Sequence, residues 1–411
     1  MINLIKEARE RLNGVVRHTP LSHNLNLSRD SGANVFLKRE DLQVVRSYKI
    51  RGAYNKIKSL SKEDLVKGVV CASAGNHAQG VAYSCSLLGI KGVIFMPVTT
   101  PQQKVKQVRL FAKGYAEVIL TGDTYDDAYQ HAVLYSEKNS SVFIHPFDDR
   151  EVIAGQGTVG LEILEDATVK IDFLFIPIGG GGLAAGVSSV FKTLSPSTKI
   201  IGVQPIGAPS MYEAINKGEI ITLSSVEKFV DGAAVKRAGD QTFEICQKNL
   251  DDVILIPEGK ICTTIMKLYN EEAIVVEPAG ALTLAALDLY KEEIRNKNVV
   301  CIVSGSNNDL DRMQEIKERS LLYEGLKHYF IIRFPQRAGA LKEFVSEVLG
   351  PDDDISYFQY SKKNSKELGP ALVGIELSKS DDLVLLLNKM ESKQIAFEYI
   401  NDKPKLFDYI A

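Results

Sequence analysis

Four short segments of the sequence combine glycine, lysine, serine and asparagine residues in a way that could hold and activate a small ligand. The most informative is Phe173–Gly186, FLFIPIGGGGLAAG, where four consecutive glycines interrupt a transition from an apolar strand to a helix. Each glycine costs roughly 0.5–1 kcal/mol relative to alanine in ordered backbone, so the run needs a compensating interaction. A bound anion would supply it, because free backbone N–H groups and the positive end of the helix that begins near Leu183 would point at it.

The spacing of these glycines, Gly179, Gly180, Gly181 and Gly182, differs from that of the common nucleotide-binding loops. It matches neither the GxGxxG pattern of dinucleotide sites nor the GxxxxGK[ST] loop of nucleoside triphosphatases. We therefore predict a site for a lone phosphate. The alternative, a flexible surface turn, is disfavoured because the run lies between apolar segments.

The second segment, RSYKIRGAYN at residues 46–55, contains a candidate nucleophile, Lys49. A single lysine is usually a solvated surface charge. A lysine in a cleft at the end of a sheet, however, can be deprotonated enough to form a Schiff base with a carbonyl group. Lys49 lies between Ser47, Tyr48 and Ile50 and precedes a predicted helix start, which favours this second interpretation.

The third segment, SAGNHAQG at residues 73–80, follows an apolar strand and opens a predicted helix. Helix N-terminal N–H groups, the Ser73 hydroxyl and the Asn76 amide could hold a carboxylate or a ring oxygen. Asn76 could instead be an ordinary helix cap. His77 is better explained as a non-catalytic imidazole that faces the helix, and we do not assign it as a base.

The fourth segment, VSGSNND at residues 303–309, follows the apolar run Val299–Val303. Its Ser304 hydroxyl could donate a hydrogen bond to a neutral ring nitrogen. A plain turn at the end of a strand is the alternative, and for Ser304 taken alone it would be preferred.

These segments need a scaffold that places strand ends side by side, and the rest of the sequence predicts one. Short β-branched runs alternate with helix-like segments, of which His77–Leu88 and Thr124–Lys138 are examples, and this alternation is typical of a parallel α/β sheet. Such sheets bind ligands at the carboxyl ends of their strands. The predicted strands are Gly68–Ala72, Gly92–Met96, Glu117–Leu120, Val142–Ile144, Phe173–Ile178, Ile200–Val203 and Val299–Val303.

Composition narrows the class of protein. The 411 residues should form two or three packed units, and 45% apolar content is enough to fill them. A net charge of −3 without a basic stretch argues against nucleic-acid or membrane partners. The charged amphipathic N-terminus predicts a cytoplasmic protein, and the five scattered cysteines predict buried thiols, not disulfides or a zinc site.

The pattern of predicted elements changes near residue 320, where HYFIIRFPQRAGAL begins a β-α-β-β-α-β pattern. We place a domain boundary near Gly325 and predict that Leu326–Ala411 forms a separate α+β module. Within it, the lysine-rich stretch Ser361–Gly369 is predicted to be a solvated connection.

Together, the segments resemble the β-elimination family of pyridoxal-phosphate enzymes, the fold-type II group that includes threonine dehydratase and serine racemase. The resemblance covers most of the chain and is specific, because so many blocks occur in the family's order. The matching blocks are KREDLQ, SYKIRGAYN, SAGNHAQG, MPVTTPQQK, HPFDD, GQGTVGLEI, GGGGL, VDGAAVKR, VEPAGA and SGSNND.

The resemblance implies a fold and a role for each candidate residue. The fold would be similar to that of the tryptophan synthase β chain, with residues 1–322 as a catalytic domain of two parallel-sheet α/β subdomains, the smaller at roughly 48–145. Lys49 would bind pyridoxal 5'-phosphate covalently, Asn76 would contact its ring hydroxyl and Ser304 its pyridine nitrogen. The phosphate would be held by Gly179, Gly180, Gly181, Gly182 and Leu183, and the substrate carboxylate by Ser73, Ala74, Gly75, Asn76 and His77.

The reaction implied is the removal of the β-hydroxyl and amino groups from threonine, with serine as an alternative substrate. Lys49 would take the Cα proton, and the enamine released would hydrolyse to ammonia and a 2-oxo acid, 2-oxobutanoate for threonine. A hydroxyl opposite the pyridine nitrogen would leave the ring largely unprotonated and so restrain transamination. For threonine this is the first committed step of isoleucine biosynthesis.

Three departures from the family pattern refine this interpretation. Racemases of the group have a second serine where this chain has Ala74, so we do not expect racemisation. Relatives that bind a divalent cation have an acidic residue where this chain has Gln204, so we predict no metal site. Ser306 replaces a more usual glycine, a change we expect to be tolerated.

The C-terminal module resembles the ACT-like regulatory domain of biosynthetic threonine dehydratases, in a single copy. This implies feedback by isoleucine or valine and a homotetramer; a role in subunit assembly alone is the alternative. Other enzyme classes remain open: a catabolic serine/threonine dehydratase, which would lack this module, and a β-replacement synthase, whose lysine motif differs. A non-catalytic amino-acid sensor on an inactive scaffold is the rival from another class.

Overall fold

The computed structural model describes residues 1–360 and 368–403. Residues 361–367 of the predicted solvated connection lie outside this part of the chain, and the remaining two belong to a strand. The chain forms two compact units, Met1–Asp309 and Leu310–Ala411. The division precedes the helix Met313–Tyr323, and the domain boundary near Gly325 stays a prediction.

The first unit contains two sheets with parallel strands. Its strands are β1 (Leu21–His23), β2 (Asn34–Arg39), β3 (Val69–Ala72), β4 (Gly92–Met96), β5 (Ala116–Leu120), β6 (Val142–Phe143), β7 (Phe173–Pro177), β8 (Lys199–Pro205), β9 (Asp252–Ile256) and β10 (Asn298–Val303). The larger sheet has six strands in the order β1-β2-β10-β7-β8-β9, parallel except for β1. The smaller has four parallel strands in the order β5-β4-β3-β6. The predicted parallel α/β architecture is confirmed.

Helices connect these strands. They are α1 (Ile2–Leu12), α2 (Leu25–Ser31), α3 (Lys49–Lys58), α4 (Lys62–Lys67), α5 (Asn76–Leu88), α6 (Gln102–Ala112), α7 (Tyr125–Asn139), α8 (Arg150–Asp166), α9 (Gly182–Leu194), α10 (Ser210–Lys217), α11 (Asp240–Asn249), α12 (Glu258–Glu272) and α13 (Pro278–Ala285). The smaller sheet falls within residues 69–143, inside the range of the smaller subdomain, and that subdomain assignment stays a prediction.

Local sequence sets where the helices near the site begin. The Thr124 side chain and Asp127 form a capping box at the start of α7. The Asp149 carboxylate accepts from the N–H groups of Glu151 and Val152 at the start of α8. Strand β7 is buried along its whole length, as expected for an apolar run at the centre of a parallel sheet.

A buried ion network fixes helix α3 against the rest of the unit. The Arg51 guanidinium pairs with Glu40 at 2.8 Å and with Glu162 at 2.7 Å, and Lys38 also pairs with Glu162 at 2.7 Å. Burial is the largest single influence on the pKa of Glu162 and raises it. The charges and hydrogen bonds of Arg51 and Lys38 together outweigh burial, so the pKa of Glu162 lies below its usual value. Removal of one member would leave an unpaired buried charge, which is strongly destabilising. The intact network therefore holds α3 in place.

The second unit is an antiparallel α+β module, as predicted. Its elements are α14 (Met313–Tyr323), β11 (Lys327–Pro335), α15 (Ala340–Glu347), β12 (Asp354–Tyr360), β13 (Leu368–Glu376), α16 (Asp382–Ser392) and β14 (Ala396–Tyr399). The strand order is β12-β13-β11-β14, with every pair antiparallel. Its core includes Phe330, Phe344 and Leu386.

Two composition-based expectations can be compared with the structure. All five cysteines are buried free thiols, which confirms that prediction. Across residues 1–360 and 368–403, none of the helices combines the length and the apolar character needed to cross a bilayer.

Candidate active site

Two of the predicted segments lie side by side at the carboxyl end of β10. The Tyr48 N–H donates to the Ser304 carbonyl at 3.2 Å, and the Ser306 N–H donates to the Arg46 carbonyl at 2.9 Å. Lys49 follows directly as the first residue of α3. The fold therefore brings the candidate nucleophile next to the candidate ring-nitrogen partner, although 255 residues separate them in sequence, counting from 49 to 304.

The Lys49 side chain is half-buried and its amine is held by a hydrogen bond. Its Nζ donates to the Pro146 carbonyl at 2.9 Å and lies 5.4 Å from the centroid of the Tyr48 ring. Burial lowers the pKa of Lys49 to about 8, and the negative charge of Glu277 limits the decrease. A substantial fraction of this amine is therefore neutral near physiological pH, as a nucleophile or a base requires.

The glycine run forms a turn between β7 and α9 in which side chains have no room. Gly181, the N-cap of α9, has φ +96°. A Cβ on Gly181 would lie 2.7 Å from Met211 Cε and 2.8 Å from Thr242 Cβ, and one on Gly179 would lie 3.1 Å from Ala233 Cα. A Cβ on Gly180 would overlap the Phe147 ring. Glycine is therefore needed on steric grounds, and the backbone is left free to approach a ligand.

Backbone groups of this turn suit an anion. The first N–H groups of α9, beginning with those of Gly182 and Leu183, have no intrahelical acceptor. The Gly180 carbonyl, in contrast, is already occupied, because the Thr242 hydroxyl donates to it at 2.6 Å. The turn therefore presents donors and conceals an acceptor, which matches the predicted phosphate site.

The HPFDD block connects the lysine to the glycine turn. Pro146 accepts from Lys49, and the next residue, Phe147, packs on Gly180 and Gly182. Asp148 then accepts from the N–H groups at the start of α11, including those of Asp240 and Gln241 at 2.9 Å each. Three consecutive residues thus contact the amine, the glycine turn and the helix that supports that turn.

The Asn76 side chain is not the cap of its own helix. Gly75 is the N-cap of α5, and no side-chain oxygen caps that end. The Asn76 amide instead donates to Glu277 Oε1 at 2.6 Å and accepts from Asn307 Nδ2 at 2.6 Å. The Ser73 hydroxyl accepts from the Gly75 N–H at 3.2 Å, within the loop predicted to hold a carboxylate.

The two remaining predicted side chains are buried. His77 is 3% exposed, and its Nε2 contacts the Ile144 carbonyl at 2.8 Å. Burial, assisted by the positive charge of Lys49, lowers the pKa of His77 to about 3, so the ring is neutral and donates to that carbonyl. The Ser304 hydroxyl is 2% exposed and donates to the Ala279 carbonyl at 3.2 Å.

One ionisable group at this site, Glu277, was not predicted from the sequence. The residue lies in the VEPAGA block, and a glutamate within an apolar stretch before proline was the available signal. The residue is 4% exposed, and burial raises its pKa to about 7, assisted by the negative charge of Asp231. It is thus a second titratable group beside Lys49.

Gln204, at the position where cation-binding relatives have an acid, has a structural role here. Its Oε1 accepts from the N–H groups of Met211 and Tyr212 at 3.0 and 2.8 Å and thereby caps α10. A neutral amide is sufficient for this task.

Comparisons with known proteins agree with this geometry. A family model described as pyridoxal-phosphate dependent enzyme matches residues 12–305, and another, described as the C-terminal regulatory domain of threonine dehydratase, matches residues 318–410. The catalytic unit is therefore that of a fold-type II pyridoxal-phosphate enzyme.

Similarity to individual proteins identifies the family within this class of enzymes. The chain is 59% identical to a biosynthetic L-threonine dehydratase of Halalkalibacterium halodurans over 98% of this chain and 97% of the relative, and 58% identical to that of Bacillus subtilis over 98% and 96%. A structure of processed threonine deaminase isoform 2 from Solanum lycopersicum aligns with TM-score 0.74 and 42% identity over 78% of this chain and 93% of that one. Maize serine racemase aligns with TM-score 0.72 and 34% identity over 78% and 98%. The chain belongs to the biosynthetic threonine dehydratase family.

Proposed function

We propose that this protein converts L-threonine to 2-oxobutanoate and ammonia, the first committed step of isoleucine biosynthesis, with Lys49 as its catalytic residue. Membership of the biosynthetic threonine dehydratase family supports the reaction. The observation that carries the assignment is the position of the Lys49 amine. The side chain is half-buried, and its amine donates to the carbonyl of Pro146, the residue before the Phe147 ring that packs on the glycine turn.

The residues of the cleft fit pyridoxal 5'-phosphate. In the turn Gly179–Gly182 a Cβ would press against neighbouring protein atoms, so the backbone stays bare, with helix N–H groups as donors for a phosphate. Lys49 would bind the cofactor covalently, Asn76 would contact its ring hydroxyl and Ser304 its ring nitrogen. When bound, the cofactor supplies an electron-withdrawing ring that acidifies the Cα proton of an amino acid.

The chain's own residues supply binding and proton transfer. The neutral amine of Lys49 accepts the Cα proton, and its pKa of about 8 keeps the amine basic enough for this and yet partly deprotonated. The Ser73–His77 loop, at the start of α5, presents N–H donors for the substrate carboxylate. Ser304, an uncharged hydroxyl, would hold the ring nitrogen of the bound cofactor without protonating it.

The first test is the substrate profile of the purified enzyme. We expect 2-oxobutanoate from L-threonine and a lower but measurable yield of pyruvate from L-serine, because one methyl group in an apolar pocket discriminates by only about 1–3 kcal/mol. Because Ala74 replaces the racemase serine, chiral chromatography should detect no D-serine. Failure to deaminate threonine with cofactor bound would refute the proposed function.

We also propose that the second unit binds isoleucine or valine and that the enzyme is a homotetramer. The match to a regulatory domain of threonine dehydratase supports an effector site, and the family resemblance implies four subunits. Millimolar isoleucine or valine should raise the threonine concentration needed for half-maximal rate several-fold. Initial rates test the regulation, and an unchanged saturation curve would contradict it. Sedimentation velocity in the same buffers tests the oligomeric state, and a particle smaller than four subunits would contradict the tetramer.

A further inference from the structure

Glu277 occupies a position that the proposed reaction does not yet use. It is the N-cap of α13, and its carboxylate lies in the interior of the catalytic unit. A Cβ on Gly305 would overlap Glu277 Oε1, so the Ser304–Ser306 turn passes directly over the carboxylate. A Cβ on Gly232 would lie 3.5 Å from the same oxygen, which places the Val230–Arg237 loop nearby.

The carboxylate forms a closed hydrogen-bonded triangle with two asparagines. Asn76 Nδ2 donates to Glu277 Oε1 at 2.6 Å, and Asn307 Nδ2 donates to Asn76 Oδ1 at 2.6 Å. The backbone N–H of Asn307 donates to the Glu277 carboxylate and closes the triangle. Asn307 Nδ2 is itself anchored to the Val45 carbonyl at 2.9 Å. The amide of Asn76 can therefore adopt one orientation only, because a flip would oppose donor to donor and acceptor to acceptor.

The same carboxylate lies beneath the turn that bonds to the segment carrying Lys49, through Tyr48 N–H to the Ser304 carbonyl at 3.2 Å and Ser306 N–H to the Arg46 carbonyl at 2.9 Å. Its negative charge raises the pKa of Lys49 against the effect of burial, and it also helps to raise the pKa of Tyr48, for which burial is the larger cause. The other charged groups that face Glu277 are Asp231 and Lys104, which act on its pKa in opposite directions. These two form an ion pair with each other at 2.5 Å, and Glu277 is the charged group whose effect on the pKa of Lys49 is resolved.

We propose that Glu277 is a positioning residue that fixes the amide of Asn76 for the cofactor and sets the protonation of the Lys49 amine. The proposal rests on the proposed function only in taking Asn76 and Lys49 as partners of pyridoxal phosphate. Its two parts have different requirements, since orientation of Asn76 needs an acceptor at the Glu277 position, whereas the effect on Lys49 needs a negative charge.

Two substitutions separate these requirements. Glu277→Gln keeps an acceptor oxygen for Asn76 and removes the charge, and Glu277→Ala removes both. Glu272 offers a matched control, because its Oε1 accepts from Asn26 Nδ2 at 2.7 Å in a comparable pair on helix α12, away from the glycine turn. Glu272→Gln and Glu272→Ala should leave every readout unchanged.

The charge is tested in the full-length enzyme stripped of cofactor, by the pH dependence of acetic anhydride labelling at Lys49, measured by peptide mass mapping. The neutral amine reacts, so labelling rises with pH through the pKa of Lys49, about 8 in the unmodified enzyme. In Glu277→Gln we expect the profile to move to lower pH by about one unit, because the charge that favours the protonated amine is gone. A midpoint equal to that of the unmodified enzyme would overturn this part.

The orientation is tested by fluorescence titration of the same stripped proteins with pyridoxal phosphate. We expect Glu277→Ala to raise the dissociation constant roughly tenfold, as for loss of a hydrogen bond to a charged group, and Glu277→Gln to stay within about threefold of the original. An unchanged dissociation constant in Glu277→Ala would overturn positioning. If Glu277→Ala fails to fold by circular dichroism, Glu277→Asp replaces it: a shorter carboxylate should keep the labelling midpoint and weaken cofactor binding. Neither readout involves threonine, so failure of the proposed reaction would be seen separately.

Discussion

Replacement of Lys49 by alanine is expected to lower the rate of threonine deamination by at least about 10³-fold, because one side chain supplies both cofactor attachment and proton transfer. Its amine is the one that donates to the Pro146 carbonyl. Steady-state release of 2-oxobutanoate measures the loss. Borohydride reduction followed by peptide mass mapping should label the peptide that contains residue 49 in the original enzyme and not in Lys49→Ala.

A second lysine on the same helix controls for general effects of charge loss. Lys58 is exposed in the last turn of α3, so Lys58→Ala should keep both the activity and the label. Activity of Lys49→Ala above a tenth of the original, or a label on another lysine, would show that the catalytic lysine is misassigned.

The substitution Gly181→Ala is expected to be the next most damaging. At φ +96° a side chain is strained by about 1–2 kcal/mol, and the added methyl would lie 2.7 Å from Met211 Cε and 2.8 Å from Thr242 Cβ. The turn must then shift together with the helix N–H groups it positions. We expect the dissociation constant for pyridoxal phosphate to rise more than tenfold, measured by fluorescence titration, and the urea midpoint of unfolding to fall.

Substitution of Gly218 by alanine is a control that shows the effect of backbone strain without displacement of the glycine turn. Gly218 has φ +74° at the end of α10, and a Cβ there would have no atom of residues 1–360 or 368–403 within 4 Å. Gly218→Ala should therefore lower stability by about 1 kcal/mol and leave cofactor affinity unchanged. Equal loss of affinity in the two variants would contradict a specific role for the glycine turn.

The sequence was sufficient for the features that depend on short stretches of chain. Continuous apolar runs such as FLFIPI predict buried parallel strands, and β7 is buried throughout. Four successive glycines predict a turn without side chains, and the structure has neighbouring atoms where each Cβ would be. These patterns are local, so they can be interpreted without knowledge of the fold.

Features that depend on distant partners could not be predicted in the same way. The Asn76 amide could have been a helix cap, and only the folded chain shows that it contacts Glu277, 201 residues later. Likewise the strands β1 and β2 were not predicted, because β1 has only three residues and the polar ends of β2 conceal its buried centre. A buried carboxylate is expensive unless paired, and its partners come from loops that the sequence does not show to be adjacent.

The turn from His145 to Asp148 has a consequence for anyone who engineers this enzyme. The His145 ring accepts from the Phe147 and Asp148 N–H groups at 3.3 and 2.8 Å, so hydrogen bonds within the turn link these residues. Substitutions in this turn should be non-additive with substitutions at Lys49 or in the glycine turn, because the turn contacts both of them. Libraries that vary substrate preference should therefore leave these four residues untouched, or vary them jointly with both neighbours.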